Sequence, residues 1–278
     1  MQAIDKSILI TGCSTGIGYA SAHYLRDRGW RVFASCRKAE DCERLRGEGF
    51  EAPLIDYEAP QTIGAGAAEV LAATDDKLGA VFNNGAYAVP GAVEDLPVEG
   101  LQAAFQANFF GWHDLTRRLI PAFRENGAGR IVQNSSVLGF VPLRWRGAYV
   151  ATKFAVEGLT DVLRLELEGT GIGVSLIEPG PVTSKIRENS IPHFERWIDV
   201  EASARAADYA RLRSRLYEDR GKDRFELPPE AVATKLEHAL TSPRPRPRYY
   251  VTTPTYIMGA LKRILSTRAL DRILQRGG

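Results

Sequence analysis

Short apolar runs alternate with helix-length segments along most of the chain, and this alternation restricts the fold more than any other feature. The runs fall at 7–11, 31–36, 53–55, 80–83, 130–134, 174–177 and 249–252. Helical candidates lie between them, notably 16–28, 101–124 and 149–169. In the last of these, Val150, Phe154, Leu159, Leu163 and Leu167 recur at helical spacing. Strands separated by helices return parallel to one another, and a parallel sheet is covered on both faces. Runs that are apolar throughout, rather than alternating with polar residues, fit that double burial. The expectation is an α/β fold: a doubly wound parallel sheet of about seven strands, formed by one domain over residues 1–278.

The first run leads into Thr11-Gly12-Cys13-Ser14-Thr15-Gly16-Ile17-Gly18, and a helix follows. Glycines there permit a tight turn and close approach to a pyrophosphate, and the helix start offers free N–H groups. The spacing is G-x-x-x-G-x-G. Its place between strand and helix points to a Rossmann-type dinucleotide site. The second run ends at Cys36 and Arg37. A carboxylate at that point would hold the adenosine ribose and repel a 2′-phosphate, whereas an Arg does the reverse, so NADP(H) is preferred, with NAD(H) as the alternative. Asp56, after the third run, could accept from the adenine amino group or cap the next segment.

Tyr149 and Lys153 stand at i and i+4 on one predicted helix face. A neighbouring ammonium favours the phenolate and should lower the tyrosine pKa, making a general acid/base. Thirteen positions earlier, Ser136 follows the fifth run, at the carboxyl end of a parallel strand where such folds bind ligands. A hydroxyl there can donate to a substrate oxygen as charge develops. It can also serve its own turn.

In order along the chain stand Thr11–Gly18, Asn83-Asn84-Gly85-Ala86, Asn108, Ser136, Tyr149-x-x-x-Lys153 and Pro179-Gly180. With these motifs the chain resembles the short-chain dehydrogenase/reductase family over at least residues 7–184. Glu178-Pro179-Gly180-Pro181-Val182 is most similar to its 17β-hydroxysteroid and retinol dehydrogenase-like branch. The resemblance implies an oxidoreductase that interconverts an alcohol and its ketone or aldehyde by hydride transfer. In it Ser136 would hold the reacting oxygen and Tyr149 would pass the proton. Lys153 would lower the tyrosine pKa and bind the nicotinamide ribose, and Asn108 would anchor a water leading to solvent. The implied cofactor contacts are Gly12, Ser14, Thr15, Gly16, Ile17, Gly18, Arg37, Asp56, Asn83, Gly85, Tyr149, Lys153, Pro179, Gly180, Val182, Thr183 and Ser184. Gly85-Ala86 reverses the family's usual Ala-Gly. Thr183 and Ser184 are both open as the hydroxyl that meets the carboxamide.

The polar segment 186–227 breaks the alternation and would be a substrate-covering insertion. Its aromatics Phe194, Trp197, Tyr209 and Tyr217 could line an apolar pocket with Tyr87, Val141, Leu143 and Trp145, or pack the insertion onto the body. An apolar pocket implies a hydrophobic alcohol or carbonyl substrate. The Pro-Arg repeat at 243–248 reads as a stiff connector. The tail, 254–278, reads as one basic amphipathic helix. It would pack on its own domain or on a partner, with membrane-surface contact as the alternative. A homodimer or homotetramer is expected by family analogy.

A net charge of +2 gives no field that would select nucleic acid. Cys13, Cys36 and Cys42 form neither a disulfide framework nor a zinc pattern, and His23, His113, His193 and His238 do not cluster. No metal is expected. The N-terminus lacks the pattern of a signal peptide and no run is long enough to span a bilayer, so a cytoplasmic location is expected. Two other readings compete. One is a sensor or scaffold that binds NADP(H) without turnover, which would be expected to lack the Tyr or Lys. The other is an epimerase or dehydratase, which needs acid/base groups the sequence does not place.

Overall fold

Along each strand, neighbouring side chains bury into opposite faces of the sheet. Leu9, Val81, Ile131, Val174 and Leu176 enter one apolar cluster, and Ile8, Ile10, Ala80, Phe82, Val132 and Ile177 enter the other. That is the two-sided burial a continuous apolar run requires. The computed structural model describes residues 4–218, 221 and 223–276. Its elements in order are β1 (Ser7–Ile10), α1 (Gly16–Arg26), β2 (Arg31–Ala34), α2 (Ala39–Gly47), α3 (Pro60–Ala73), β3 (Ala80–Asn83) and α4 (Val98–Phe105). A π-helical turn, Gln106–Phe110, joins α4 to α5 (Gly111–Glu125). Then follow β4 (Gly129–Asn134), α6 (Gly147–Glu166), β5 (Ile172–Glu178), α7 (Ile186–Trp197), α8 (Ala206–Tyr217), α9 (Glu230–Thr241), β6 (Arg248–Tyr250), α10 (Thr253–Ile264) and α11 (Thr267–Arg276).

The strands pair in parallel in the order β2-β1-β3-β4-β5-β6. The chain reverses its winding at β1, so a crevice opens beyond the carboxyl ends of β1 and β3, the position at which doubly wound folds take ligands. One face is covered by Leu115, Leu119 and Phe123 of α5 with Val156 of α6, the other by Ala22 and Leu25 of α1 with Leu236 and Leu240 of α9.

Two expectations are corrected. The run at 53–55 forms no strand. The chain there touches β2 and its end only through bridges at Phe33–Glu51 and Cys36–Leu54. Pro53 between them has no N–H to give, and the segment lies at the sheet's outer edge, so six strands form among the described residues. The tail is two helices rather than one. Leu265 is extended (ψ 146°), and the Ser266 carbonyl accepts from Ala269 and Leu270 to start α11. Among the described residues no helix is long and apolar enough to cross a membrane.

Candidate active site

The glycine turn at the end of β1 is shaped by contacts that only glycine allows. Gly12 and Gly16 have φ of +69° and +60°. A Cβ at Gly12 would lie 2.6 Å from Gly85 Cα, and one at Gly18 would lie 2.4 Å from the Gly12 carbonyl oxygen. The reversal to Gly85-Ala86 therefore puts the smaller residue against Gly12. No side chain caps the start of α1 at Thr15, which leaves its first N–H groups facing the crevice without a protein acceptor. A Cβ at Gly16 would lie 3.3 Å from Ser184 Cβ, so the segment after Pro179-Gly180 folds back onto the turn.

Thr11 and a set of amides tie the strand ends together. Thr11 Oγ1 accepts from the Tyr57 hydroxyl at 2.9 Å and from the Asn84 N–H at 2.9 Å. Asn84 Nδ2 donates to the Thr11 carbonyl, and Asn84 Oδ1 accepts from Asn134 Nδ2 at 2.8 Å. Asn83 is fully buried and spent on Tyr57 and Thr116, so it supports the site from behind rather than lining it. Arg37 is exposed at the end of β2, with Cys36 buried before it. Asp56 caps its own turn, its Oδ1 accepting from the Glu58 N–H at 3.0 Å.

Ser136, Tyr149 and Lys153 converge at the ends of β4 and β5. Ser136 Oγ accepts from the Leu138 N–H at 3.1 Å and so shapes its own turn. It is also near enough to the Tyr149 phenol to oppose the rise in that group's pKa. The Lys153 ammonium is buried, donates to the Asn134 carbonyl at 2.7 Å, and lies 4.3 Å from the centroid of the Trp112 ring. Trp112 Nε1 in turn donates to the Gly85 carbonyl at 2.8 Å, linking the amine to the cofactor crevice.

The electrostatics correct one expectation. Burial pushes the Tyr149 phenol up to about 12, and the opposing influences are the Ser136 hydroxyl and the Arg146 charge, not Lys153. Burial also drives Lys153 down to about 7 against the pull of Glu157, so at neutral pH the amine holds only part of its charge. Its ammonium is directed at Asn134 and stands 5.4 Å from the centroid of the Tyr149 ring.

Asn108 sits in the π-helical turn, and its side chain is tied to the Tyr87 backbone. Its Oδ1 accepts from the Tyr87 N–H at 3.0 Å, and its Nδ2 donates to the Tyr87 carbonyl at 2.8 Å. The Tyr87 ring stacks on His193 of α7 at 3.5 Å, and the Tyr87 hydroxyl donates to Glu58. His193 is pushed down to about 4 by burial, with Arg37 and Arg196 adding to the effect. Phe194 and Tyr209 are buried in the core, where the Tyr209 hydroxyl donates to Asp95. They pack α7 and α8 onto the body, while Tyr217 is half exposed and pairs with Glu195. Thr183 is exposed and donates to Glu226.

Sequence reading left Asn84, Asn134, Trp112 and Arg146 out of the site. The signal available for Trp112 was its position four residues after Asn108. Asn134 acts through its backbone carbonyl, which no motif displays.

The family model for short chain dehydrogenases matches residues 6–194. The chain is 42% identical to the uncharacterized oxidoreductase YbbO of Escherichia coli, over 99% of this chain and 96% of that one. It is 32% identical to human retinol dehydrogenase 16, over 88% and 80%. It also superposes on a short-chain dehydrogenase from Streptomyces avermitilis with TM-score 0.77 at 26% identity, covering 100% and 99%. The chain belongs to the short-chain dehydrogenase/reductase family and is an oxidoreductase acting on CH–OH donors.

Proposed function

We propose that the protein interconverts a hydrophobic alcohol and its aldehyde or ketone with NADP(H), using Tyr149 as general acid/base. The observation that carries this reading is the meeting of Ser136, Tyr149 and Lys153 beside a glycine cradle that has no room for side chains. The donor set fits a dinucleotide. Gly12, Gly16 and Gly18 would admit its pyrophosphate to the uncapped start of α1, and Arg37 would meet a 2′-phosphate. Pro179, Gly180, Val182 and either Thr183 or Ser184 would flank the nicotinamide end. When bound, the nicotinamide supplies or takes the hydride.

This chain's own residues do the rest. Ser136 holds the substrate oxygen. Tyr149, kept protonated by burial, donates to that oxygen during reduction. Lys153, held by Asn134 and Trp112, would contact the ribose. The segment 186–227 acts as a lid over the substrate, docked through the His193–Tyr87 stack.

The test is a panel of alcohols, aldehydes and ketones assayed with NADPH and NADH side by side. Turnover confined to small sugars would sink the substrate class. Arg37→Asp is expected to lower kcat/KM for NADPH about tenfold, since Arg37 is exposed and at the weak end for a charged contact, and to raise it for NADH. Unchanged selectivity would remove Arg37 from the cofactor site.

The groove between α5 and α6, a cavity of ≈ 190 Å³ lined by Phe109, Ile120, Leu159 and Val162, bears Val162 at 49% exposure. An apolar face of this kind is a surface on which a second copy can pack. Val162→Asp is expected to halve the mass measured by light scattering. An unchanged mass would place the oligomer contact elsewhere.

A further inference from the structure

Arg146 is a charged group that the hydride chemistry leaves unused. It immediately precedes α6, three residues before Tyr149. Its backbone is pinned by a parallel bridge to Gly91 and by its carbonyl, which accepts from the Val150 N–H at 2.8 Å. Trp145 before it has φ of +65°, a left-handed conformation that is costly for a bulky side chain. That conformation is held by the Trp145 carbonyl accepting from Gly91, and by the ring's contacts with Tyr209 and Arg205 at 5.0 and 4.5 Å. The strained segment therefore fixes where Arg146 stands.

The Nη1 of Arg146 is shut off from water and has no hydrogen-bond partner. Its guanidinium forms no ion pair among the described residues, and neither do those of Arg187 on α7 and Arg215 on α8. Arg187 and Arg215 are near enough to act on Arg146, and Arg146 in turn on the Tyr149 phenol. Burial, then Arg215 and Arg187, push Arg146 down to about 10, with Tyr149 opposing. It remains a cation at neutral pH. A guanidinium nitrogen shut off from water without an acceptor is unfavourable unless a partner arrives, and a guanidinium fork matches a carboxylate. The ring of the neighbouring Trp145 packs on Tyr209, and Tyr209 on Phe194.

We propose that the substrate is an amphiphilic oxo acid whose carboxylate is read by Arg146 beside the reacting carbonyl, with Arg187 and Arg215 closing over it from the lid. This refines the hydrophobic substrate class and rests on the reading of Tyr149 as the acid/base.

The experiment compares matched aldehydes with saturating NADPH: succinic semialdehyde against butanal, and azelaic semialdehyde against nonanal. In the wild type at least one acid should exceed its neutral partner in kcat/KM by roughly ten- to hundredfold, the worth of a charge-assisted contact. Arg146→Met should bring that ratio close to one, chiefly through KM. Arg146→Lys, a point charge without the fork, should keep part of it. If Arg146→Met does not fold, Arg187→Met and Arg215→Met on the lid must each still lower the ratio. If none of the four aldehydes turns over, nonanoate should raise the Tm of the NADP-bound wild type more than nonanol does, and this difference should vanish in Arg146→Lys or Arg146→Met. Equal or better use of the neutral partners, or a preference unmoved in every variant, overturns the proposal. Tyr149→Phe separates the two levels. If it is inactive while the acid preference is absent, only the carboxylate falls. If it stays active, the reading beneath it falls.

Discussion

Replacing Tyr149 by Phe should lower kcat/KM for carbonyl reduction about a hundred- to ten-thousandfold, the usual worth of a positioned acid/base. The change removes one oxygen and keeps the ring, so packing at the half-buried start of α6 is preserved. NADPH affinity should stay within a few fold, because the glycine cradle, Arg37 and Lys153 are untouched. Burial holds the phenol protonated through neutral pH, with a pKa of about 12. That is the donating form, so reduction should proceed at neutral pH. Oxidation needs the phenolate and should rise as the medium becomes alkaline. Stopped-flow turnover together with fluorescence titration of NADPH checks both halves. Full activity in Tyr149→Phe would discard the mechanism, and lost cofactor binding would show that the ring, not the hydroxyl, matters.

The strands and the order of the motifs were readable because they are local. A run such as Ile8–Ile10 is apolar throughout because both of its faces are covered, and Gly12 and Gly16 mark a backbone that turns through positive φ. The Tyr149–Lys153 spacing gave the pair one helix face. It did not give the directions of their charges. Those depend on burial and on distant partners: the Asn134 carbonyl nineteen residues before Lys153, and Trp112 from another helix. The edge segment at 53–55 misled because apolar character alone does not supply the N–H that Pro53 lacks. Arg146 has no motif, and its isolation appears only when α7 and α8 are in place.

Arg248 was legible only as the last residue of a Pro-Arg repeat, yet its replacement should be the most destabilising single change considered. From β6 its Nε meets Glu178 Oε1 at 3.2 Å, and its Nη2 meets Glu157 at 3.1 Å and Asp161 at 2.7 Å. Glu178 is fully buried, and the Glu157 side chain is only 11% exposed. Arg248→Met would leave two carboxyl groups side by side without their cation, a loss of about 3 kcal/mol by the precedent of broken buried pairs. In a chain of this size that corresponds to a Tm lower by roughly 6–12 °C.

The loss should grow with pH, and its sign follows from linkage. Burial, followed by repulsion from Glu157, raises the Glu178 carboxyl above its ordinary range, and burial raises Glu157 too. The folded chain therefore keeps protons that the unfolded chain has released. Stability is complete below the ordinary carboxylate pKa and falls as pH rises toward the folded value. Without Arg248 both raised values climb further. Denaturant melts should show a small deficit near pH 5 and a large one near pH 10, above the Glu178 value of about 9. Glu178→Gln added to Arg248→Met should recover part of the loss at pH 10, because a neutral amide ends the repulsion. The deficit should also reach the chemistry. Glu157, one turn after Lys153, is the charge that supports its ammonium, and Arg248 holds that carboxylate in place. Equal deficits at the two pH values, with no rescue by Glu178→Gln, would mean that Arg248 acts by packing alone.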